Sequence, residues 1–131
     1  MAIIADFNFD DKHSLSDYNL INNEDYPLDY KFVGSKLILQ NTSPFNTSML
    51  IDLKDNIPEG EKIKVLIKSA KGKATILNNG FEINNESEKN AEGTASVFKV
   101  GSDNTSVISI FINSGDDANI EFTGYKIEYD K

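Results

Sequence analysis

The aromatic rings that punctuate the first third of the sequence are its best candidates for contact chemistry. Tyr18, Tyr26, Tyr30 and Phe45 fall in or beside polar segments. Tyr26 precedes Pro27 inside the acidic stretch 22–29, and Phe45 follows Pro44 ahead of Asn46-Thr47-Ser48. Segments this polar supply little core, so Tyr26 and Phe45 are expected to stand exposed. An exposed ring can stack on the C–H face of a sugar, while amides and carboxylates bind the hydroxyls. Tyr26, Phe45 and Tyr18 are therefore the candidate carbohydrate-binding rings, with Asn22, Asn46 and Asp29 as hydrogen-bonding partners. Stacking is non-ionic, so such binding should be nearly independent of salt. Tyr30 and Phe32 share an alternating segment, where packing in the core is the expected role.

Other constellations point elsewhere. Asp10-Asp11 closes the first apolar segment, and Asp116-Asp117 opens the loop before the last. Calcium takes six to eight oxygens, which carboxylates and loop carbonyls can supply. Asp10 and Asp11 are the candidate ligands of a structural calcium; the alternative is a pair of solvated turn residues. His13 is the only histidine and there is no cysteine. A serine–histidine–acid triad would have to use His13 from a polar turn, where an exposed loop histidine is the simpler reading. No phosphate-cradling glycine loop, metalloprotease motif or EF-hand spacing occurs, so no catalysis is expected. Lys62, Lys64 and Lys68 share one face of a strand, with Lys71 and Lys73 following. Such a stripe can meet an anionic glycan, form a solvated sheet face, or guard a sheet edge against pairing.

The elements that must position these groups are strands. In Ile3-Ala5-Phe7-Phe9 and in Ile63-Val65-Ile67 the apolar residues recur every second position. Comparable runs cover 30–33, 36–40, 48–53, 73–77, 80–83, 94–100, 107–113 and 118–129. About ten short strands separated by turn residues imply an all-β, antiparallel β-sandwich of jelly-roll type. Asn79-Gly80 is a hairpin signal, because a type I′ turn needs positive φ at both central residues. Lys71-Gly72 and Ser114-Gly115-Asp116-Asp117 read as turns in the same way, and 84–92 as a solvated loop. Residues 11–18 allow one helical turn at most. In the last segment Ile120 and Phe122 have one parity, whereas Tyr125, Ile127 and Tyr129 have the other. One extra residue at Thr123-Gly124 would let both sets face inward, as in a β-bulge.

The chain has 131 residues, one domain's worth, and no linker or repeat divides 1–131. Its net charge is −8, and all 13 basic residues are lysine. That balance disfavours nucleic acid, which needs a basic footprint, and anionic membranes. No segment approaches the roughly 18 apolar residues of a membrane span. The N-terminus lacks the basic n-region of a secretory signal, so the chain is expected to act where it is made or to be a module of a larger protein. The abundance of Asn, Lys and Ile without arginine suits an AT-rich coding sequence, as in low-GC bacteria and their phages.

The order of segments carries a resemblance. Phe7-Asn8-Phe9-Asp10-Asp11 ends the first strand, and Val33-Gly34-Ser35-Lys36-Leu37-Ile38-Leu39 follows. Lys62-Ile63-Lys64-Val65-Leu66-Ile67-Lys68-Ser69-Ala70 comes next. Ile108-Ser109-Ile110-Phe111-Ile112 and Ile120-Glu121-Phe122-Thr123-Gly124-Tyr125-Lys126-Ile127 close the chain. This pattern resembles the jelly-roll, galactose-binding-like carbohydrate-binding modules, in which an F-x-F-(D/E) strand lies near a final I-x-I-D-x-V-x-L strand. The resemblance implies a sandwich that binds a polysaccharide or cell-surface glycan without catalysis. Asp10 and Asp11 match the acidic end of the family's first strand. The family's last-strand aspartate, often a calcium ligand, falls on Thr123, and its tryptophan after the first strand on Tyr18. Similar domains occur in phage tail and baseplate proteins, which makes a virion assembly protein with protein partners the alternative.

Overall fold

A computed structural model describes residues 2–72, 74–78, 81–84, 93–100, 105–115 and 119–130. They form an antiparallel β-sandwich of thirteen strands and one short 3-10 turn at Leu15–Tyr18. One four-stranded sheet has the order β1-β13-β6-β10, from Ala2–Asn8, Gly124–Asp130, Lys62–Lys68 and Gly93–Lys99. A second, β3-β4-β12-β7, uses Asp29–Val33, Lys36–Gln40, Asn119–Phe122 and Lys71–Gly72. The third is the five-stranded β2-β5-β11-β8-β9, from Leu20–Asn22, Thr47–Ile57, Thr105–Ile112, Thr75–Asn78 and Phe81–Asn84. The strands exceed the expected ten partly because two of them are broken in the middle. β12 runs into β13 through Thr123, and β6 into β7 through Ser69-Ala70, so the two four-stranded sheets are halves of one bent layer. β2, three residues among polar neighbours, carries no alternation to betray it. No helix among the described residues is long and apolar enough to cross a membrane.

The bend sits at the expected irregularity. Thr123 donates its N–H to the Lys68 carbonyl at 2.9 Å and accepts from the Phe9 N–H at 2.9 Å. Across that step the buried parity switches, so Ile120 and Phe122 on one side and Tyr125, Ile127 and Tyr129 on the other all face inward. Gly124 makes the crossing possible: at φ +157° a Cβ there would lie 2.0 Å from the Phe7 carbonyl oxygen. Gly72 is the counterpart on the neighbouring strand, where a Cβ would meet the Asn119 carbonyl at 2.3 Å. Lys71-Gly72, expected as a turn, is instead a strand that continues β6 and pairs with β12, and the bend between the two falls at Ser69, which has φ +52°.

Alternation predicts the core in β6 and β11, whereas in β3 Phe32 packs against the core but Tyr30, expected inward with it, is exposed. Ile63, Val65 and Ile67 from β6 and Ile108, Ile110 and Ile112 from β11 meet in one cluster, as does Tyr125. In β1 the register shifts between Ile3 and Ala5, which accommodates Ile4 as an extra residue. Ile3, expected inward with Ala5 and Phe7, is consequently exposed, and Ile4 packs against the core instead. β1 pairs with β13, which joins the first and last strands as the resemblance implies. β8 and β9 form a hairpin with Asn78 opposite Phe81. The Asn79-Gly80 turn, Lys73, Asp116-Asp117 and loop residues 85–92 lie outside the described residues.

Candidate functional site

Tyr26 and Phe45 come together. Their ring centroids are 4.7 Å apart with the planes at 50°, and each ring is about half exposed, 44% and 53%. Tyr26 stands on the loop between β2 and β3, and Phe45 on the loop between β4 and β5. Polar side chains turn inward to hold both loops. Asn22 accepts hydrogen bonds from the N–H groups of Asn23 and Leu28 and donates to the Leu28 carbonyl, which closes the first loop. Asn23 accepts from the Asp25 and Tyr26 amides, an Asx turn beneath the ring. Thr47 Oγ1 donates to the Tyr26 carbonyl at 2.7 Å and ties this loop to the start of β5.

The second loop hangs on Asn41, which is 4% exposed. Its Nδ2 donates to the carbonyls of Phe45 and Ile112, and its Oδ1 accepts from the N–H and hydroxyl of Ser43. Asn46 Oδ1 accepts from the Ser114 N–H at 3.0 Å and brings in the chain beyond β11. Three separate loops thus converge on the ring pair. The result is a small, half-exposed apolar surface whose backbone is anchored.

The other sequence candidates have different places. Asn22 and Asn46 spend their carbonyl oxygens on the scaffold, so they position the rings more than they offer themselves to a ligand. Asp29 is exposed at the start of β3, opposite Gln40. Tyr18 is buried, 5% exposed, and packs edge-on against Phe7 and Phe9. Its hydroxyl accepts from the Asp10 N–H, and its carbonyl accepts from the Tyr125 hydroxyl. Tyr18 is a core residue and no part of an exposed platform, because the 3-10 turn folds it back over β1. Burial, and next the Asp52 carboxylate, push the Tyr125 phenol well above its ordinary range. Sequence reasoning missed Asn41, whose signal was Asn41-Thr42-Ser43-Pro44, a turn-forming run beside a strand end.

Asp10 is engaged by its own turn. Its Oδ1 accepts from the Lys12 N–H at 2.9 Å and lies 2.6 Å from His13 Nδ1. The His13 bond first, and the Lys12 amide second, hold Asp10 below the usual carboxylate range; the same contact raises His13. Among the described residues no three histidine, cysteine, aspartate or glutamate side chains group together. The hydrogen-bond partner of His13 is Asp10, three residues before it in the same exposed turn.

A second concavity lies on the outer face of the first sheet. It is an open cleft of ≈ 390 Å³, with Leu66 at its base and Asp6, Asn8, Lys68, Thr123 and Lys126 around it. Lys68 crosses one wall. Its ammonium reaches Asp6 Oδ1 at 2.5 Å, Asn8 Oδ1 at 3.0 Å and the Phe7 carbonyl at 3.2 Å. Three oxygens at the end of β1 therefore already hold a cation, the chain's own. β6, which carries the lysine stripe, lies between β13 and β10, so the stripe does not guard an edge.

The chain matches no family model and no curated protein. Among solved structures it is similar to CBM86, a low-affinity xylan-binding module from the xylanolytic gut symbiont Roseburia intestinalis. The TM-score is 0.50 at 12% identity, over 79% of this chain and 84% of that one. The two share a β-sandwich fold. At that identity the likeness concerns the arrangement of the sandwich and assigns no residue of it a role.

Proposed function

We propose that this chain is a non-catalytic carbohydrate-binding domain that grips a neutral glycan through Tyr26 and Phe45. The observation that carries the reading is the pair itself: two half-exposed rings in contact, on loops fastened by Asn22, Asn23, Asn41 and Thr47. Exposed rings cost solvation, and the scaffold holds them where a sugar face can cover both. Loops fixed beforehand lower the ordering cost of binding. A fold shared with a xylan-binding module supports the reading.

The geometry also limits the ligand. Planes inclined at 50° cannot make one flat platform, so a single twisted chain fits better than a flat crystalline surface. One contact pair covers little area, so the affinity is expected to be weak. Asp29, exposed at the start of β3, is the polar group proposed to meet sugar hydroxyls, while Asn46 holds its loop in place. Affinity electrophoresis in a panel of soluble neutral polysaccharides tests the proposal. At least one gel should retard the wild type, while Tyr26→Ala and Phe45→Ala migrate freely with unchanged melting temperatures. Retardation that survives both substitutions would move the site elsewhere.

One observation favours a protein-contact role as the second reading. The outer face of the five-stranded sheet carries Ile21, Leu50, Val107 and Phe111, all at least partly exposed. If that face meets protein, light scattering should show a stable oligomer, and no glycan in the panel should retard the chain.

A further inference from the structure

We propose that the cleft on the outer face of the β1-β13-β6-β10 sheet is a second binding site, for an acidic sugar. The site is independent of the ring pair and does not rest on it. Its volume of ≈ 390 Å³ falls within the range of about 300–1,000 Å³ typical of small-ligand pockets.

The lining supplies what a hexuronate needs. Leu66 is an apolar base for the C–H face of a sugar ring. Asn8, Ser69 and Thr123 bring amide and hydroxyl groups for its hydroxyls. Lys126 lies beside Leu66 in the ladder between Asp6 and Leu66, and its ammonium pairs only at 3.4 Å with Glu128. That loose pair leaves the ammonium able to turn to a carboxylate, whereas Lys68 is neutralised by Asp6.

Charge on the whole face agrees. The ladder places Lys62, Lys64, Lys68, Lys99 and Lys126 on this side, against Asp6, Glu128 and Asp130. The face is net positive on a chain of net charge −8. Because β6 is central, the need to protect a sheet edge does not account for its lysines. One available ammonium among hydroxyl-binding groups suits a ligand with a single carboxylate and several hydroxyls per unit. It suits a phosphate less, since that would call for several converging donors.

Backbone amide shifts of the wild-type chain, titrated with trigalacturonate and separately with neutral galactotriose and with acetate, test this. Trigalacturonate should shift Leu66, Ser69 and Thr123 saturably, more weakly as salt rises, while the other two probes leave them unmoved. Lys126→Gln should weaken trigalacturonate on the order of tenfold, and Lys126→Arg should keep most of the affinity. Tyr26→Ala should leave it unchanged, which separates this site from the ring pair. Unmoved cleft amides, equal shifts with galactotriose, or the same shifts from acetate would overturn the proposal.

Discussion

The proposed sites, the ring pair and the cleft, would meet a polar ligand in two different ways. The pair offers uncharged aromatic surface on loops, and its polar side chains are consumed in holding the backbone. The cleft offers charge and hydroxyls on strands, and its frame is the hydrogen-bonded ladder itself. The difference teaches where rigidity comes from. A strand inherits it from its neighbours, whereas a loop must be stapled residue by residue. Damage should therefore separate: removing a loop staple should disable the first region and spare the second.

Asn41→Leu should show this with the largest effect. It removes four hydrogen bonds at a buried position, including the one to the Ile112 carbonyl. The expected cost is about 2–3 kcal/mol in urea denaturation. Neutral-glycan binding should fall while cleft amides keep their positions. An equal disturbance of both regions would break the distinction.

Lys68→Met should do the converse. It deletes the cation bonded to Asp6, Asn8 and the Phe7 carbonyl, and the expected cost is about 2 kcal/mol. Cleft amides should shift, and the Tyr26 and Phe45 ring signals should not. A change at the rings would show that the sheet and the loops are coupled.

The smallest effect belongs to His13 and Asp10, which serve neither region. His13 is raised from 6.5 by its bond to Asp10, and Asp10 is lowered from 3.8 by the same bond. The His13 contribution is full below 6.5 and is lost as pH rises through its folded value. The Asp10 contribution is full above 3.8 and is lost as pH falls through its folded value. Melting temperatures of wild type and His13→Ala should therefore differ slightly near pH 5 and converge at alkaline pH. A difference that persists there would mean the histidine ring packs rather than pairs.

The two regions were not equally legible in the sequence. Tyr26 and Phe45 announce their exposure because proline and polar neighbours surround them, and that signal is local. Their contact is not local, since it depends on how β2, β4 and β5 bring two loops together. The period-two runs located Ile63, Val65, Ile67 and the β11 isoleucines, and the parity switch located the break at Thr123. The misplacements share a cause. Ile3 turned outward through a register shift, Tyr18 turned inward through a 3-10 turn, and Lys71-Gly72 became a strand because β12 offered a partner. Each depends on a neighbour remote in sequence. The cleft was invisible for the same reason: Asp6, Leu66 and Lys126 become neighbours only once β1, β13 and β6 pair in this order.

The central claim is that the two tilted rings are a neutral sugar's landing surface. Aromatic side-chain resonances of Tyr26 and Phe45, followed during titration with xylohexaose at low and at high salt, test it most directly. The account predicts saturable shifts of both rings with the same affinity at either salt, and loss of the Tyr26 shift in Phe45→Ala. Saturable xylohexaose binding that leaves both rings unmoved would contradict it.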